Sequence, residues 1–443
     1  MSTAPVGGFL LAAPAPTRVS LRSDPLQRRW LAWAALVTAY LLMNLHRLSS
    51  AVLADRLVVA FDTTAAQLGT LHASFFYIYA GMQLPAGVLA DRYGPRLVMT
   101  VGTLTLGLGA AGFALSESYL LAFASRALIG LGGGVTFVAT LRFLAAWFRP
   151  DEFATMNGLT VAASGIGGIL ATTPLAVAAS TVGWRVAILG LGVVAVAVAG
   201  VIYVVARDSP SAAGLEPIEG VEDHPTLTLP EVGANVRLVL AELETWLLAV
   251  AMFCTTGAFI TLLGLWGVPY LVQVYGLSVT GASWYTLLGS VGLLVGSPAF
   301  GRLSDTLGRR IAPMLAGVVA FAAIFLVIPV LGQPPLAIIA AVYFLAGFLG
   351  GAFVLGYPII QERHHVTASG VATGTLNAAA FAGAAVFPTI MGAILDAYWT
   401  GETVAGTRIY TAVGYRMAFA TTAVAALLAL ACVSWFARRV RRP

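Results

Sequence analysis

Apolar stretches of roughly 20 residues or more recur along the chain, and short polar stretches separate them. A stretch of this length can cross the hydrocarbon core of a bilayer as a single helix. The apolar segments run over residues 30–54, 67–90, 97–115, 119–147, 154–179, 185–206, 243–272, 281–303, 311–331, 337–360, 368–395 and 411–436. This pattern predicts an all-α, polytopic membrane protein with about twelve transmembrane helices.

A polar stretch at residues 207–240 interrupts the apolar pattern near the middle of the chain. It contains four prolines and six acidic residues, a composition that cannot bury a core of its own. We therefore expect a linker between two six-helix bundles, at residues 30–206 and 241–437. Residues 1–29 and 438–443 would then form short tails.

The composition supports a membrane protein and excludes several other classes. Apolar residues make up 59% of the chain and charged residues only 10%, whereas soluble domains carry about a quarter charged residues. The two cysteines, Cys254 and Cys432, lie inside apolar segments, so neither a disulfide nor a metal site is expected. The only histidine pair, His364 and His365, lacks a metal-ligand spacing. We expect no enzymatic activity, no metal and no cofactor.

The arginines are distributed unevenly between the two sets of loops. All 24 basic residues are arginines, and seventeen of them fall in the tails, the linker and alternate loops. The other set of loops holds only Arg56, Arg185, Arg408 and Arg416. The positive-inside rule then places both termini and the linker in the cytoplasm, for a multi-pass protein of the cytoplasmic (inner) membrane. The basic isoelectric point therefore reflects topology, and no nucleic-acid partner is expected.

Two of these loops carry the same spacing of Gly, Asp, Gly and Arg, and the copies lie 214 positions apart (301 minus 87). The first copy contains Gly87, Asp91, Arg92, Gly94 and Arg96, and the second contains Gly301, Asp305, Gly308 and Arg310. A glycine permits the tight turn between two helices, and an aspartate at a helix end can pair with arginine. The copies differ, because Arg92 follows Asp91 whereas Thr306 follows Asp305. We expect the stronger charge cluster in the first copy.

The chain resembles the major facilitator superfamily over nearly its whole length, on the strength of these two loops and of Arg126-x-x-x-Gly130-x-x-x-Gly134. The resemblance implies two pseudo-symmetric six-helix bundles that rock about a central site. It also implies that the repeated loops hold the bundles together on the cytoplasmic side when the site opens outward. Arg126 would couple transport to an ion or a substrate, whereas the two glycines have helix packing as an equally simple role.

The first helix holds the best candidates for a binding site. Tyr40, Asn44 and Arg47 are spaced i, i+4 and i+7, so they share one helix face. An arginine inside the membrane costs about 2.5–3.5 kcal/mol on insertion scales, which makes it a functional candidate. A structural role, in which Arg47 pairs with a carboxylate such as Asp55, is the alternative.

The segment from Tyr40 to Ala54 also resembles the sugar-phosphate and organophosphate permeases, where an arginine at the position of Arg47 contacts the substrate phosphate. That branch has a second phosphate arginine in helix seven, but residues 238–301 of this chain contain no basic residue. A single arginine suits a monoanion such as a carboxylate. Further cavity candidates are Tyr77, Gln83, Arg142, Trp266 and Asn377, although each could instead serve packing, and Arg142 could snorkel to the cytoplasmic surface.

Coupling has few candidates, because no carboxylate lies at an obvious membrane midpoint. His46 could carry a proton or could be a packed core residue, and Asp55 is the nearest acid. The expected function is a monomeric secondary transporter for a small, anionic organic solute, working by alternating access with a proton or a counter-substrate. The alternatives are a proton-coupled drug or metabolite efflux pump and a transporter-like membrane solute sensor.

Overall fold

The computed structural model describes residues 25–215, 218, 229–364 and 366–440. Eight helices build the half of the molecule that precedes the linker, the N half. Their bounds are α1 Pro25–Leu48, α2 Ser50–Phe61, α3 Ala65–Leu115, α4 Tyr119–Gly134, α5 Thr136–Trp147, α6 Pro150–Leu170, α7 Thr173–Thr181 and α8 Trp184–Val205.

The linker contributes a short 3-10 turn, Ser211–Ala213, and helix α9, Leu229–Ala241. The C half follows it and contains the remaining helices and one β-hairpin. Their bounds are α10 Leu243–Thr261, a π-helical segment Leu262–Trp266, α11 Gly267–Tyr275, α12 Val279–Leu307, α13 Ile311–Phe325, α14 Val327–Leu331, α15 Leu336–Val354, α16 Gly356–Arg363, α17 Val366–Ala397, β1 Trp399–Val404, β2 Thr407–Tyr410 and α18 Ala412–Val440.

The predicted helical architecture is confirmed. In the described part of the chain, ten helices are long and apolar enough to cross a membrane, or eleven if the bent pair α6 and α7 forms one span. Residues 65–84 are not among them. This first part of α3 nevertheless lies along α17, from Gly69 beside Pro388 to Gln83 beside Asn377. It therefore runs the same course as a spanning helix, which agrees with the predicted twelve.

Several predicted segments are broken helices, and the breaks repeat between the halves. One break separates α1 from α2 near Ser49, and its counterpart is the π-helical segment Leu262–Trp266. Another separates α4 from α5 at Val135, and its counterpart lies at Leu355, between α15 and α16. Glycines are frequent just before the breaks at Val135 and Leu355, and glycine weakens a helix. The pseudo-symmetry thus extends from the loops to the helix interiors.

Two connecting segments contain regular structure. The last part of the linker forms α9, which buries Val239 completely. The stretch between the last two spans forms an antiparallel hairpin in which Val404 pairs with Thr407. At the two ends of the described chain, α1 begins at Pro25 and α18 continues to Val440.

The molecule has two chemically different ends. The basic end carries the repeated loops, Arg29, and Arg439, and the opposite end carries Arg56, Arg185, Arg408 and Arg416. The ion pairs at the basic end each stay within one half: Arg29 with Glu152 and Arg142 with Asp91 in the N half, and Arg310 with Glu362 and Arg439 with Glu244 in the C half. The arginine asymmetry predicted from the sequence is therefore present in the fold.

The first repeated loop interrupts α3 at Gly94, whose φ is 77°. The Asp208 carboxylate from the linker lies directly against this glycine and accepts a hydrogen bond from the Arg96 amide at 2.8 Å. Asp91 pairs with Arg142 at 3.0 Å. Arg142 is thus held at the basic end by the loop.

The second repeated loop also turns at a glycine with positive φ, but its backbone turn differs, because ψ is 22° at Gly308 and 153° at Gly94. Gly308 has a φ of 59°, and a Cβ placed on it would meet no atom within 4 Å. Arg310 bonds Glu362 at 2.6 Å, and Asp305 lies 3.9 Å from Arg310. The two copies therefore differ in their partners: Asp91 pairs with Arg142, whereas Arg92 contacts the ring of Tyr93 at 5.6 Å and is not paired with Asp91.

Gly94→Ala should therefore destabilise the protein more than Gly308→Ala. Both changes place a side chain at positive φ, which costs about 1–2 kcal/mol in the left-handed region of Gly308 and more at Gly94, whose ψ of 153° is adopted almost only by glycine. Only at Gly94 does the new methyl group also displace the Asp208 carboxylate, which adds about 1 kcal/mol for the lost hydrogen bond. The melting temperatures of the purified variants measure the difference. Equal decreases in melting temperature would contradict the role given to Asp208.

Candidate functional site

Arg47 lies in the last turn of α1, immediately before the break at Ser49. Its side chain is partly buried, and its guanidinium lies over the ring of Phe381, 5.6 Å from the ring centre. Phe381 belongs to α17 in the opposite half. Arg47 therefore sits at the contact between the halves. None of the ion pairs among the described residues includes it, so the predicted alternative, pairing with Asp55, is not formed.

The other two residues of the predicted helix face are buried beside Arg47. Asn44 donates from Nδ2 to the Tyr40 carbonyl at 2.8 Å, which leaves its buried Oδ1 without a partner among the described residues. The Tyr40 ring stacks on Phe137 of α5 at 5.3 Å. The i, i+4, i+7 stripe is thus one continuous surface that faces the interior.

A chain of hydrogen bonds continues this surface across the two halves. Asn377 of α17 donates to Gln83 Oε1 at 2.5 Å, and Tyr357 of α16 donates to Asn377 Oδ1 at 2.8 Å. Gln83 in turn donates to the Tyr79 carbonyl at 2.9 Å. Two residues predicted for the cavity, Gln83 and Asn377, are therefore in direct contact although they come from different halves.

Tyr79 joins the two groups into one. It packs edge-on against Phe381 at 4.5 Å, and it lies within electrostatic range of Tyr40, Arg47 and Tyr357. We call the combined set the central cluster; its members are Tyr40, Asn44, Arg47, Tyr79, Gln83, Tyr357, Asn377 and Phe381. It offers one guanidinium, phenol hydroxyls and amides, which are donors suited to an oxyanion.

The structure places three other predicted site residues elsewhere. Tyr77 is 46% exposed and points about 200° around α3 from Tyr79. Trp266 is buried in the π-helical segment, where its indole N–H donates to the Pro388 carbonyl at 2.9 Å. Arg142 is paired with Asp91 at the basic end. These residues are not members of the central cluster.

The coupling candidates His46 and Arg126 form a second, fully buried group. The side chains of His46, Arg126 and His72 are each 1% exposed. Both histidines lie within electrostatic range of Arg126. The Arg126 guanidinium lies over Phe113 at 5.5 Å, while its Nε and one terminal nitrogen have no hydrogen-bond partner among the described residues. The group thus combines three basic side chains, and the described residues provide no ion pair for Arg126.

Asp55 lies apart from both groups. It belongs to α2, which begins after the break at Ser49. Together with Arg56, Trp184 and Gln273 it lines a cavity of about 600 Å³ at the opposite end. Arg56 donates to the carbonyl of Ala179. Among the described residues, no group of three His, Cys, Asp or Glu side chains could hold a metal ion.

Three residues of these groups were not singled out as site candidates from the sequence: Tyr79, Phe381 and His72. For Tyr79 a signal was present, because Tyr79 and Gln83 have the same i, i+4 spacing as Tyr40 and Asn44. Phe381 offers no such signal, since it is one of 22 phenylalanines and acts only through its position opposite Arg47.

Comparison with known proteins gives a consistent result. The chain is 28% identical over 416 residues to the membrane sensor protein UhpC of Salmonella typhimurium, which covers 88% of this chain and 92% of the relative. It is 26% identical over 277 residues to a probable sulfoacetate transporter of Cupriavidus necator, covering 61% and 64%. A probable hexose phosphate transport protein of Chlamydia muridarum is 24% identical over 424 residues, covering 88% and 92%.

The fold is also found among solved structures. A bacterial homologue of the human lysosomal transporter Spinster, in an inward-facing and occupied conformation, superimposes with a TM-score of 0.74 at 18% identity, covering 94% of this chain and 98% of that one. The family model described as Major Facilitator Superfamily matches residues 28–292 and 248–443. Together the two matches include nearly every residue of both halves, and the chain belongs to the Major Facilitator Superfamily.

Proposed function

We propose that the chain is a secondary transporter that moves a small organic anion across the cytoplasmic membrane by alternating access. The observation that carries this proposal is the position of Arg47. Its guanidinium lies between the halves, beside phenol and amide groups, and forms no ion pair with a described carboxylate. Since an unpaired charge inside a membrane protein is costly, an anionic substrate would supply the missing partner.

The division of the central cluster between two halves supports alternating access. Tyr40, Asn44 and Arg47 move with the N half, whereas Tyr357, Asn377 and Phe381 move with the C half. A solute bound among them would contact both halves, so its binding would shift the equilibrium between the inward-open and outward-open arrangements of the halves. The site lies where transporters built from repeated halves bind their substrates.

The orientation follows from the arginine distribution. We place the basic end, with both termini, in the cytoplasm. The halves contact each other at the opposite end, where Thr173 and Ser283 share a hydrogen bond of 3.1 Å and Gly69 lies against Pro388. The conformation described here is therefore closed to the outside. Among the described residues, no ion pair joins the two repeated loops in this state, and their joining of the halves remains a prediction for the outward-open state.

Transport would be coupled to a counter-substrate or to a proton. The central cluster contains no carboxylate, so exchange for a counter-substrate needs no further residue. Proton coupling would require His46, which lies beside Arg126 and His72. Because protonation of a histidine next to Arg126 is electrostatically unfavourable, such a proton would bind only while the group is hydrated. We propose that the transporter acts as a monomer.

A membrane solute sensor is the second candidate, because the chain is similar over 416 residues to a protein named as a sensor. Both candidates predict anion binding at the central cluster. Only a transporter exchanges labelled solute across a sealed membrane. Binding without counterflow in proteoliposomes would therefore favour the sensor.

Arg47→Ala should lower kcat/KM for anion uptake by about 10- to 100-fold, since hydrogen bonds to a charged group are worth about 1.5–3 kcal/mol. Arg47→Lys should retain part of the activity, because lysine keeps the charge but lacks the planar fork of donors. The assay is counterflow into proteoliposomes with sulfoacetate, a hexose phosphate and a dicarboxylate as probes. If amphipathic cations support counterflow and these anions do not, the result would instead indicate an efflux pump.

The matched control is Arg416→Gln at the opposite end, where Arg416 donates to the carbonyls of Pro329 and Val330 far from the cluster. It should leave uptake within about twofold of the wild type, as surface substitutions usually cost less than about 0.5 kcal/mol. If Arg47→Ala behaves like this control, Arg47 does not bind the substrate.

Asp91→Asn should slow uptake more than Asp305→Asn does. Asp91 holds Arg142 at 3.0 Å, whereas Asp305 lies 3.9 Å from an Arg310 that already bonds Glu362. If the Asp91–Arg142 pair acts as a unit, Arg142→Gln should slow uptake to a similar degree, and the double variant should be no slower than either single one. Additive losses, or equal effects of the two aspartate variants, would contradict this account.

A further inference from the structure

Asp396, near the end of α17 in the C half, caps a helix of the N half. Its two carboxylate oxygens accept hydrogen bonds from the amides of Ala65 and Ala66, at 2.9 and 2.8 Å. These amides belong to the first turn of α3, where the helix itself supplies no acceptor. Thr64 satisfies the next amide, that of Gln67, from within the N half. The start of α3 is thus completed only when the two halves are together.

The backbones approach closely around this contact. A Cβ on Gly392 would collide with the Ala65 carbonyl, and a Cβ on Gly69 would lie 2.5 Å from the Pro388 carbonyl. One glycine comes from each half, so both surfaces are shaped for the same close approach. The Asp396 contact is therefore part of a fitted surface between α3 and α17.

Asp396 has a second partner that stays in its own half. Arg408, on strand β2 of the hairpin, lies 3.7 Å from Asp396 Oδ1, and its guanidinium stacks over Trp399 at 4.5 Å. Gln273 of α11 fixes this strand, because it donates to the Arg408 carbonyl at 3.1 Å and accepts from the Tyr410 amide at 3.0 Å. When the halves separate, Arg408 would move together with Asp396, whereas the α3 amides would move away.

We infer that Asp396 is a gating residue during transport: it binds the α3 amides together with Arg408 when the opposite end is closed, and it keeps Arg408 as its one partner when that end is open. The helix N-terminus carries partial positive charge, so both partners are attractive to a carboxylate. Because Arg408 compensates the charge in the open state, neither state leaves Asp396 without a partner. This inference rests on the proposed alternating-access function, since it requires that the halves separate at this end.

The experiment measures the separation of the halves without using a substrate. Spin labels at Ser180 in the N half and Leu331 in the C half, both exposed at the opposite end, report the distance by pulsed electron paramagnetic resonance. The labelled background has Cys254 and Cys432 replaced by alanine. Asp396→Asn should raise the ratio of the long-distance to the short-distance population by roughly 3- to 30-fold, since charge and capping interactions at a helix N-terminus have this range.

Two further variants separate gating from a general loss of structure. Ala65→Pro removes one of the two donors from the opposite half, and proline is well tolerated at the first position of a helix. It should raise the same long-distance population. Arg408→Gln removes the partner of the open state and should lower it.

The control is Asp62→Asn, which removes an exposed carboxylate at the same end, at the left-handed C-cap of α2 that asparagine also tolerates. It should leave the distance distribution unchanged. The inference is overturned if Asp396→Asn matches this control or if neither it nor Ala65→Pro yields a longer distance. Counterflow on the same variants tests the proposed function separately, because a solute sensor could show the shift in distance without exchanging solute.

Discussion

An arginine inside a membrane protein has to be paired, hydrated or used, and this constraint gives the structure its functional meaning. Arg47 lies over Phe381 at the contact between the halves and forms no ion pair with a described residue. By contrast, Arg29, Arg142 and Arg310 at the basic end are paired with carboxylates. Arg47 and the buried Arg126 thus differ from these three arginines in having no described carboxylate partner, and under the proposed function an anion pairs with Arg47.

The contact between α3 and α17 surrounds the Arg47 guanidinium on the side of the C half. Along this contact lie the Asp396 cap, the glycine approach at Gly69, the ring of Phe381 and the Gln83–Asn377 hydrogen bond. The chemistry changes from tightly packed backbone at the opposite end to side-chain hydrogen bonds near the middle. Tightly fitted backbone favours discrete closed and open states over gradual sliding. The central hydrogen bonds are polar contacts that water or a solute could replace when the halves move.

Much of this could be predicted from the sequence because the relevant signals are local. Segment length predicted the spans, arginine placement predicted the two ends, and the i, i+4, i+7 spacing predicted that Tyr40, Asn44 and Arg47 share a face. Predictions made from the type of side chain alone failed where tertiary packing decides the orientation or the partner of that side chain. Tyr77 and Tyr79 are similar in sequence context, but only Tyr79 faces α17. Arg142 was expected near the cavity, and its pairing with Asp91 depends on how α5 packs beside α3. The hairpin was missed because its two strands are short and follow a long apolar helix.

The central claim is that the two halves rock about the central cluster. Its most direct test is to measure distances at both ends of the wild-type transporter by pulsed electron paramagnetic resonance, with Arg149 and Thr306 labelled at the basic end and Ser180 and Leu331 at the opposite end. Both pairs consist of exposed residues, one in each half. When a transported anion is added, the account predicts opposite changes, with the basic end narrowing as the opposite end widens. Changes of the same sign at both ends, or a change at one end alone, would contradict it.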